Sequence, residues 1–451
     1  MSDIYNGIAV LIPTRNRADL AINAIQSVLA QSDSSIRVLV SDNSDTPDQL
    51  ERLARFCADL GDSRLRYIST PEPFSMTEHW EWASQHLIEL FDANHFILLT
   101  DRMMFKPGEM KMLEAVASAY PDFLVSYNHD AIDDYKRPIR TVQHSWTGQL
   151  VIIQASRVLE ASSRMVFAGM LPRALNCIIP RAVLKKVRDV FGNVFDSIAP
   201  DHNFCFRYLA LHNNFLYYDK SPIFHYALTR SNGKSQSTGV VNKDNADFNS
   251  NLRNNRINYA TPVPDFQTVL NASLNEYCVV KQQTSSQKFP DIETEKYLSC
   301  IAWEVRQIEN PTLKRQMEAL LATCGWEKSK DTWATTPPQD VVVLRLLAWA
   351  RSLASRLLRG NVAKLLWCFG AHHFGIHPPQ VNGFTFQTTN EAINYLNRYP
   401  IRKSKNFNHL QYVTMGWGET ADFVGEDVCC VTVQPVSSTS GAAGVTAVPH
   451  F

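Results

Sequence analysis

Two short clusters of polar residues each follow an apolar run near the N-terminus. Pro13-Thr14-Arg15-Asn16-Arg17 follows the run at 8–12, and Ser41-Asp42-Asn43-Ser44-Asp45 follows the run at 38–40. Amide and hydroxyl groups after a proline can hydrogen-bond a base and a ribose, and a carboxylate can accept the N–H of a uracil or guanine ring. Both clusters also have a simpler interpretation as surface turns, because Pro, Asn and Asp favour turns.

The elements around these clusters predict that the two clusters meet. A helical stretch at 19–31 joins the apolar run at 8–12 to the run at 36–41. This is the pattern of a βαβ unit with buried parallel strands. Ligands of such a sheet bind beyond the carboxyl ends of its strands. Both clusters fall at those ends, so one small ligand can contact both.

The same alternation of strands and helices continues to about residue 225. Further strands are predicted at 65–69, 95–99, 122–127, 176–179 and 215–218, and further helices at 47–60, 76–91, 107–119, 181–191 and 201–212. Alternation of this kind predicts an α/β fold in which helices flank a mostly parallel sheet.

Composition changes after this region and predicts how the rest of the chain is organised. Residues 229–256 are rich in Asn, Ser, Gly, Lys and Arg. We therefore expect a first domain at 1–240 and a linker at 241–264. A mainly helical domain is predicted at 265–434, and the Ser/Thr/Gly/Ala-rich end, 435–451, is predicted to be a disordered tail.

Charge and cysteine content argue against nucleic-acid binding, a disulfide framework and a zinc site. Lysine plus arginine equals aspartate plus glutamate, at 44 each, so net charge gives no support for nucleic-acid binding. The nine cysteines form no CxxC pair, which favours reduced thiols in a cytosol over a disulfide framework or a zinc site. No signal-like segment and no apolar window of about 18 residues is present, so we expect a cytoplasmic protein.

Several motifs, in order along the chain, resemble one known family. They are Ile8 to Asn16, Ser27 to Gln31, Val40 to Ser44, Ser75 to Ala83, Leu98 to Asp101, and Ala199 to Asp201. Together they resemble the family 2 glycosyltransferases, the inverting enzymes of GT-A fold, over roughly residues 5–240. The resemblance implies a nucleotide-diphosphate sugar donor, with a UDP-sugar favoured, and a hydroxyl of a glycan or lipid-linked glycan as acceptor.

The resemblance also assigns roles to residues of both polar clusters. It places Pro13, Thr14, Asn16 and Arg17 against the donor nucleotide, and it makes Asp42 the contact to the base. The first acidic position of that pair is Ser41 here, which departs from the family pattern.

A further role that the resemblance implies is that of general base, which falls on Asp201. An inverting transfer needs one carboxylate to take the acceptor proton. Asp201 follows Pro200 at the start of a predicted helix. The alternative is an aspartate that only caps this helix and interacts favourably with its dipole.

The largest departure from the family pattern follows the predicted strand at 95–99. The family carries acidic residues there that hold a divalent cation on the donor diphosphate, because Mg²⁺ and Mn²⁺ prefer oxygen ligands. Asp101 is kept, but the next acidic position is Arg102. Either Arg102 neutralises the diphosphate directly, or Asp101 still binds metal with help from His225 or from water. A third alternative is a subunit of a polysaccharide assembly complex that binds without catalysis.

Two other segments carry charge that a ligand or surface can use. Arg230 and Asn232 belong to a Ser/Asn/Gly-rich loop after His225, which we expect either to fold over the diphosphate or to be a solvated linker. Residues 341–369 hold basic residues and no acidic one. They are predicted to form a basic amphipathic helix, which lies on the inner face of an anionic membrane or packs on the catalytic domain. His79, Trp80 and Trp82 are interpreted as core residues.

Overall fold

The computed structural model describes most of the first 326 residues and part of the remainder. The described residues are 5–31, 35–135, 137–143, 148–167, 169–240, 242–251, 259–263, 267–284, 286–326, 381–398, 412–413, 420–421 and 430–431. The predicted basic helix at 341–369 and the predicted tail at 435–451 lie outside this part of the chain. Among the described residues, no helix combines the length and the apolar character needed to cross a bilayer.

The N-terminal βαβ unit forms as predicted. It consists of β1 (Tyr5–Thr14), α1 (Ala18–Leu29) and β2 (Ile36–Asp42). β1 and β2 are parallel, with Ile8 opposite Ile36 and Thr14 opposite Asp42. The two polar clusters therefore leave the sheet side by side.

The elements up to the end of the sheet region alternate in the same way. They are α2 (Pro47–Leu60), β3 (Leu65–Ser69), α3 (Met76–Leu90), β4 (Ala93–Leu98), β5 (Met103–Phe105), α4 (Glu109–Ala119), β6 (Val125–Asp133), β7 (Ile139–Gln143), β8 (Leu150–Gln154), α5 (Ala155–Ser163), β9 (Cys177–Pro180), α6 (Arg181–Phe191), α7 (Pro200–Leu211) and β10 (Asn214–His225). Single 3-10 turns lie at Ala174–Asn176 and Leu228–Arg230.

The remaining described elements are mostly helices, with short strands near the C-terminus. They are α8 (Asn232–Thr238), α9 (Lys243–Asn251), α10 (Val269–Thr284), α11 (Thr294–Gln307), α12 (Pro311–Thr323), β11 (Val381–Phe386), α13 (Thr389–Arg398), β12 (Tyr412–Val413), β13 (Thr420–Ala421) and β14 (Cys430–Val431).

The sheet is mixed, and most of its strands run in one direction. Its order is β14-β8-β10-β6-β9-β4-β1-β2-β3, with β5, β7 and β11 paired at the side. β1 to β4, β6 and β10 are parallel to one another, whereas β5, β7, β8 and β9 oppose them. Helices flank both faces, so the predicted α/β fold with a mostly parallel sheet is confirmed.

β10 is longer than the strand predicted at 215–218. Its pairing with β6 shifts register between Tyr218 and Ile223, around Pro222. Proline cannot donate to a sheet ladder and is tolerated where pairing is irregular. The apolar run therefore continues through the irregularity to His225.

Described segments after residue 240 pack against the sheet and its helices. The segment predicted as a linker at 241–264 contains α9. Residues of α10, α11 and α12 share one hydrophobic cluster with β1, β4 and α7, including Leu274 and Tyr297 alongside Phe204. β11 pairs with β7, and β14 pairs with β8. Burial of apolar faces against the sheet, rather than composition, decides where these segments pack.

A buried ion pair joins the end of β5 to β6. Lys106 Nζ lies 2.6 Å from Asp130 Oδ2, and the Asp130 side chain is fully buried. Removing one partner leaves an uncompensated buried charge, so we expect Asp130→Ala to lower the free energy of unfolding by about 3–5 kcal/mol. The exposed Lys185–Asp189 pair has the same separation. Asp189→Ala should change stability by less than about 1 kcal/mol. Urea denaturation followed by tryptophan fluorescence would measure both, and equal shifts would contradict the prediction.

Candidate active site

A cleft of about 370 Å³ opens at the carboxyl ends of β1 and β4. Its walls come from the turn after β1, the turn after β4, the first turn of α7, and helices α8, α9 and α10. Seven of the eleven residues predicted as site residues line it: Pro13, Thr14, Arg17, Asp101, Arg102, Asp201 and Asn232. Asn16, Asp42, His225 and Arg230 do not.

Asp101 lies at the floor of the cleft, where the sheet register places it beside β1. β1 and β4 are parallel with Leu11 opposite Leu98, so Thr14 and Asp101 each lie three residues further on. Thr14 Oγ1 donates to Asp101 Oδ2 at 2.9 Å, and Arg17 Nε lies 3.2 Å from the same oxygen. The Asp101 carboxylate is therefore oriented by a hydroxyl and partly neutralised by a guanidinium.

Arg102 brings a second guanidinium to this point. Its Nη1 donates to the carbonyl oxygen of Tyr226 at 3.2 Å, and its own carbonyl accepts from the Tyr226 N–H at 3.1 Å. Burial and the neighbouring charge of Arg17 lower the pKa of Arg102 to about 10, while Asp101 opposes this shift. Arg102 thus stays protonated at neutral pH, and its charge is only weakly screened by solvent.

Arg173 is a third cation of the cleft, and the sequence patterns did not single it out. It precedes the 3-10 turn at Ala174–Asn176 and lines the cleft. Its charge contributes to lowering the pKa values of both Asp201 and His225. Arg17, Arg102 and Arg173 all line the cleft and bring three guanidinium groups to it.

Asp42 lies behind the cleft wall. It is fully buried, and its oxygens accept from the Ser44 N–H at 2.9 Å and the Tyr67 hydroxyl at 3.1 Å. Burial raises its pKa, against these hydrogen bonds. Asn43, not Asp42, lines the cleft. Contact between Asp42 and a base would require one of its two partners to move.

Ser41 replaces the first acidic residue of the family pattern and is also buried. Its hydroxyl lies 2.8 Å from His79 Nε2. Burial, and the charge of Arg15, lower the pKa of His79 to about 3, so the ring is neutral. His79 and Trp80 are both less than a tenth exposed, and both also contribute to the cleft wall.

The turn after β1 is held by side chains of the second polar cluster. Asn16 adopts the left-handed conformation, with φ of 52°, and its N–H donates to Ser44 Oγ at 2.8 Å. Its side chain donates to Asp45 Oδ1 at 2.7 Å. Asn is one of the few residues that adopt this conformation readily. Asn16 therefore shapes the turn instead of lining the cleft.

Asp201 lies in the first turn of α7 and lines the same cleft as Arg17. Its side chain is 16% exposed, and His202 Nδ1 lies 3.4 Å from its Oδ1. Burial would raise the pKa of Asp201, but the charge and hydrogen bond of His202 and the charge of Arg173 outweigh it and lower the pKa to about 2. The carboxylate is ionised at neutral pH, as a general base must be.

The loop after β10 contributes Asn232, but not Arg230, to the lining of the cleft. Asn232 lines the cleft at the start of α8. Arg230 instead pairs with Asp19 at 2.9 Å and with Asp244 of α9 at 3.0 Å. Asp247 of α9 lies 2.7 Å from Arg15 Nε. α9 therefore forms part of the cleft wall and carries charge complementary to two arginines.

A divalent metal does not fit the residues around Asp101. His225 faces His129, with ring centroids 4.8 Å apart. Burial, Arg102 and Arg173 lower the pKa of His225 to about 3, so other cations already lie close to this ring. Within the described ranges, no three His, Cys, Asp or Glu side chains converge as metal ligands. Asp101 is a single carboxylate beside two guanidinium groups, whereas Mg²⁺ and Mn²⁺ favour several oxygen ligands.

The comparison with protein-family models agrees with the motif analysis. Residues 9–156 match the family model "Glycosyl transferase family 2". No curated protein matches the chain. The solved structure of S. aureus TarS 1-349 in complex with UDP-GlcNAc shares 13% identity, covers 72% of this chain and 88% of that chain, and has a TM-score of 0.40. The structure of S. aureus TarS 1-349 in complex with UDP shares 12% identity, covers 72% of this chain and 88% of that chain, and has a TM-score of 0.39.

The matched range contains Thr14, Asp42 and Asp101, whereas Asp201 lies beyond it. The predicted resemblance is confirmed over this range, because residues 9–156 match the model of glycosyl transferase family 2.

Proposed function

We propose that the protein is an inverting glycosyltransferase that moves a sugar from a nucleotide-diphosphate donor to a hydroxyl of a glycan or lipid-linked glycan. A UDP-sugar is the favoured donor, by the resemblance. One observation carries the proposal: a cluster of arginines beside Asp101 and an ionised carboxylate on Asp201 line the same cleft. The leaving diphosphate needs positive charge on one side of the reacting carbon. The acceptor hydroxyl needs a base on the other side.

In the proposed reaction, Asp201 accepts the proton of the acceptor hydroxyl. The hydroxyl oxygen forms a bond to the anomeric carbon while the bond from that carbon to the diphosphate oxygen breaks. The electron pair of the broken bond stays on the diphosphate, so negative charge develops beside Arg17, Arg102 and Arg173. Fixed charges at the point where charge develops lower the barrier.

We propose that these arginines take the place of a metal ion on the diphosphate. Guanidinium groups present forked donors that match phosphate oxygens. Arg102 supports this proposal most directly, because it occupies the position where the family pattern has an acidic residue. Asp101 then orients Arg17 instead of coordinating a cation.

Nucleotide-sugar binding without turnover is a second candidate function. Arg102 at the acidic position also favours it, and the buried position of Asp42 adds to it, because both depart from what the family pattern implies. Both functions predict nucleotide binding, but only the glycosyltransferase predicts product formation.

Incubation with a panel of UDP-, GDP- and dTDP-sugars in excess EDTA tests the proposal. We expect release of the free nucleoside diphosphate from at least one UDP-sugar by hydrolysis or transfer, at a rate that added Mn²⁺ changes less than about threefold. Calorimetry with each nucleotide is the parallel measurement. Binding of UDP without product under any metal condition would support the second function. Absence of both binding and product across the panel would contradict both.

A further inference from the structure

Glu276 is a fully buried carboxylate of α10 that contacts the segment leading into Asp201. Its Oε1 accepts from the Ser197 hydroxyl at 2.8 Å and from the Ala199 N–H at 3.2 Å. Its Oε2 accepts from Asn203 Nδ2 at 2.8 Å. One side chain therefore holds residues on both sides of Asp201.

This segment needs support from outside itself. Ser197 has a positive φ of 64°, which is uncommon for a residue with a Cβ. Ala199 occupies the N-cap position of α7 and has no side-chain oxygen to satisfy the free N–H groups of the first turn. The Glu276 carboxylate supplies an acceptor and a negative charge at this end of the helix, where the helix dipole favours both.

The same segment also forms the cleft wall next to the proposed base. Ile198 and Ala199 line the cleft together with Asp201. Thr77 Oγ1 donates to the Ser197 carbonyl at 2.6 Å, so α3 and α10 hold the segment from two sides. A shift of this segment would move the Asp201 carboxylate relative to the acceptor hydroxyl.

The stability of the fold does not by itself explain why a carboxylate is buried at position 276. Burial raises the pKa of Glu276 to about 7, although its hydrogen bonds oppose the rise. An apolar side chain of similar volume is often at least as stabilising as a buried charged group. A function in orienting the segment therefore accounts for a carboxylate at this position better than packing does.

We propose that Glu276 is a positioning residue for the glycosyl transfer, which fixes the first turn of α7 so that Asp201 points at the acceptor hydroxyl. The inference rests on the proposed function, with Asp201 as base. It also assigns a part in that reaction to α10, which lies outside residues 9–156.

The test compares Glu276 variants with a buried carboxylate that does not contact this segment. Glu304 of α11 is also buried, and it accepts from the Leu270 N–H at 3.1 Å. We expect Glu276→Ala to lower kcat about 10- to 100-fold while KM for the donor changes less than about threefold, because small displacements of a reacting group carry large costs. Glu276→Gln keeps an acceptor oxygen and should retain most of kcat. Glu304→Gln should leave kcat within about threefold of the unaltered protein.

Hydrogen exchange measured by mass spectrometry gives a readout independent of turnover. Faster exchange across 197–203 in Glu276→Ala, with 269–284 unchanged, is the expected result.

If Glu276→Ala does not fold, Ser197→Ala removes one of the hydrogen bonds and should lower kcat about threefold to tenfold. Unchanged kcat in a folded Glu276→Ala protein, or an equal loss in Glu304→Gln, would overturn the proposal. An unaltered protein without turnover would contradict the proposed function, and the exchange data would then decide the role of Glu276.

Discussion

Asp201→Asn is expected to lower kcat about 10²- to 10⁴-fold, the range that positioned general bases supply, while nucleotide affinity changes less than about threefold. The amide keeps the size of the side chain but cannot accept the acceptor proton. The arginines that line the cleft are unchanged in this variant, so the diphosphate contacts remain. Steady-state kinetics with the donor found in the panel, and calorimetry with its nucleotide, measure the two quantities separately.

The alternative role of Asp201, a helix-capping acid, makes a different prediction for the same variant. A carboxylate in the first turn stabilises a helix by about 0.3–1 kcal/mol through the dipole. Asp201→Asn would then lower the melting temperature slightly and leave kcat unchanged. Such a result would remove Asp201 from the mechanism. A loss of kcat with a near-normal melting temperature would support the base.

The pH dependence of turnover provides a further check on the same residue. The pKa of Asp201 is lowered to about 2, below the usual value of 3.8 for aspartate. Its ionised form is favoured in the folded protein, so its stabilising contribution is present above pH 3.8 and is lost as the pH falls towards 2. Loss of kcat between pH 7 and 5 is therefore not expected from protonation of Asp201. A fall in kcat below about pH 6 that is absent in Asp201→Asn would contradict the lowered pKa of Asp201.

The sequence predicted the part of the site that depends on strand order and local pattern. Thr14 and Asp101 meet because β1 and β4 are parallel neighbours with Leu11 opposite Leu98, and both segments were visible as polar residues after an apolar run. The start of α7 was visible in the same way, from Pro200. These features depend on contacts whose direction the fold class already determines.

The rest of the site depends on packing between distant segments, which local patterns do not encode. Asp247 reaches Arg15 across 232 positions, from a segment whose composition predicted a linker. Glu276 reaches Ser197 across 79 positions, from a helix whose sequence carried no functional signal. The burial of Asp42 depends on Tyr67 of β3. A buried charged residue in a helix next to the catalytic segment is the kind of signal that only coordinates supply.

Arg102 gives the second large expected effect, because it tests how the diphosphate is held. Arg102→Ala should lower kcat/KM about 10- to 100-fold, corresponding to one hydrogen bond to a charged group of about 1.5–3 kcal/mol. Arg102→Lys should recover part of this loss, since lysine keeps the charge but not the forked donors. Arg66→Ala is the matched control, because Arg66 is exposed on β3 and does not line the cleft.

Arg102→Asp separates the arginine proposal from metal binding by Asp101. This change places a second carboxylate next to Asp101 and restores the acidic pair of the family pattern, which is the type of donor set that Mn²⁺ prefers. We expect the variant to lose turnover in EDTA and to regain part of it with Mn²⁺, whereas the unaltered protein responds to neither. Abolition of the unaltered protein's turnover by EDTA, or a normal kcat/KM in Arg102→Ala, would show that a metal rather than Arg102 neutralises the diphosphate.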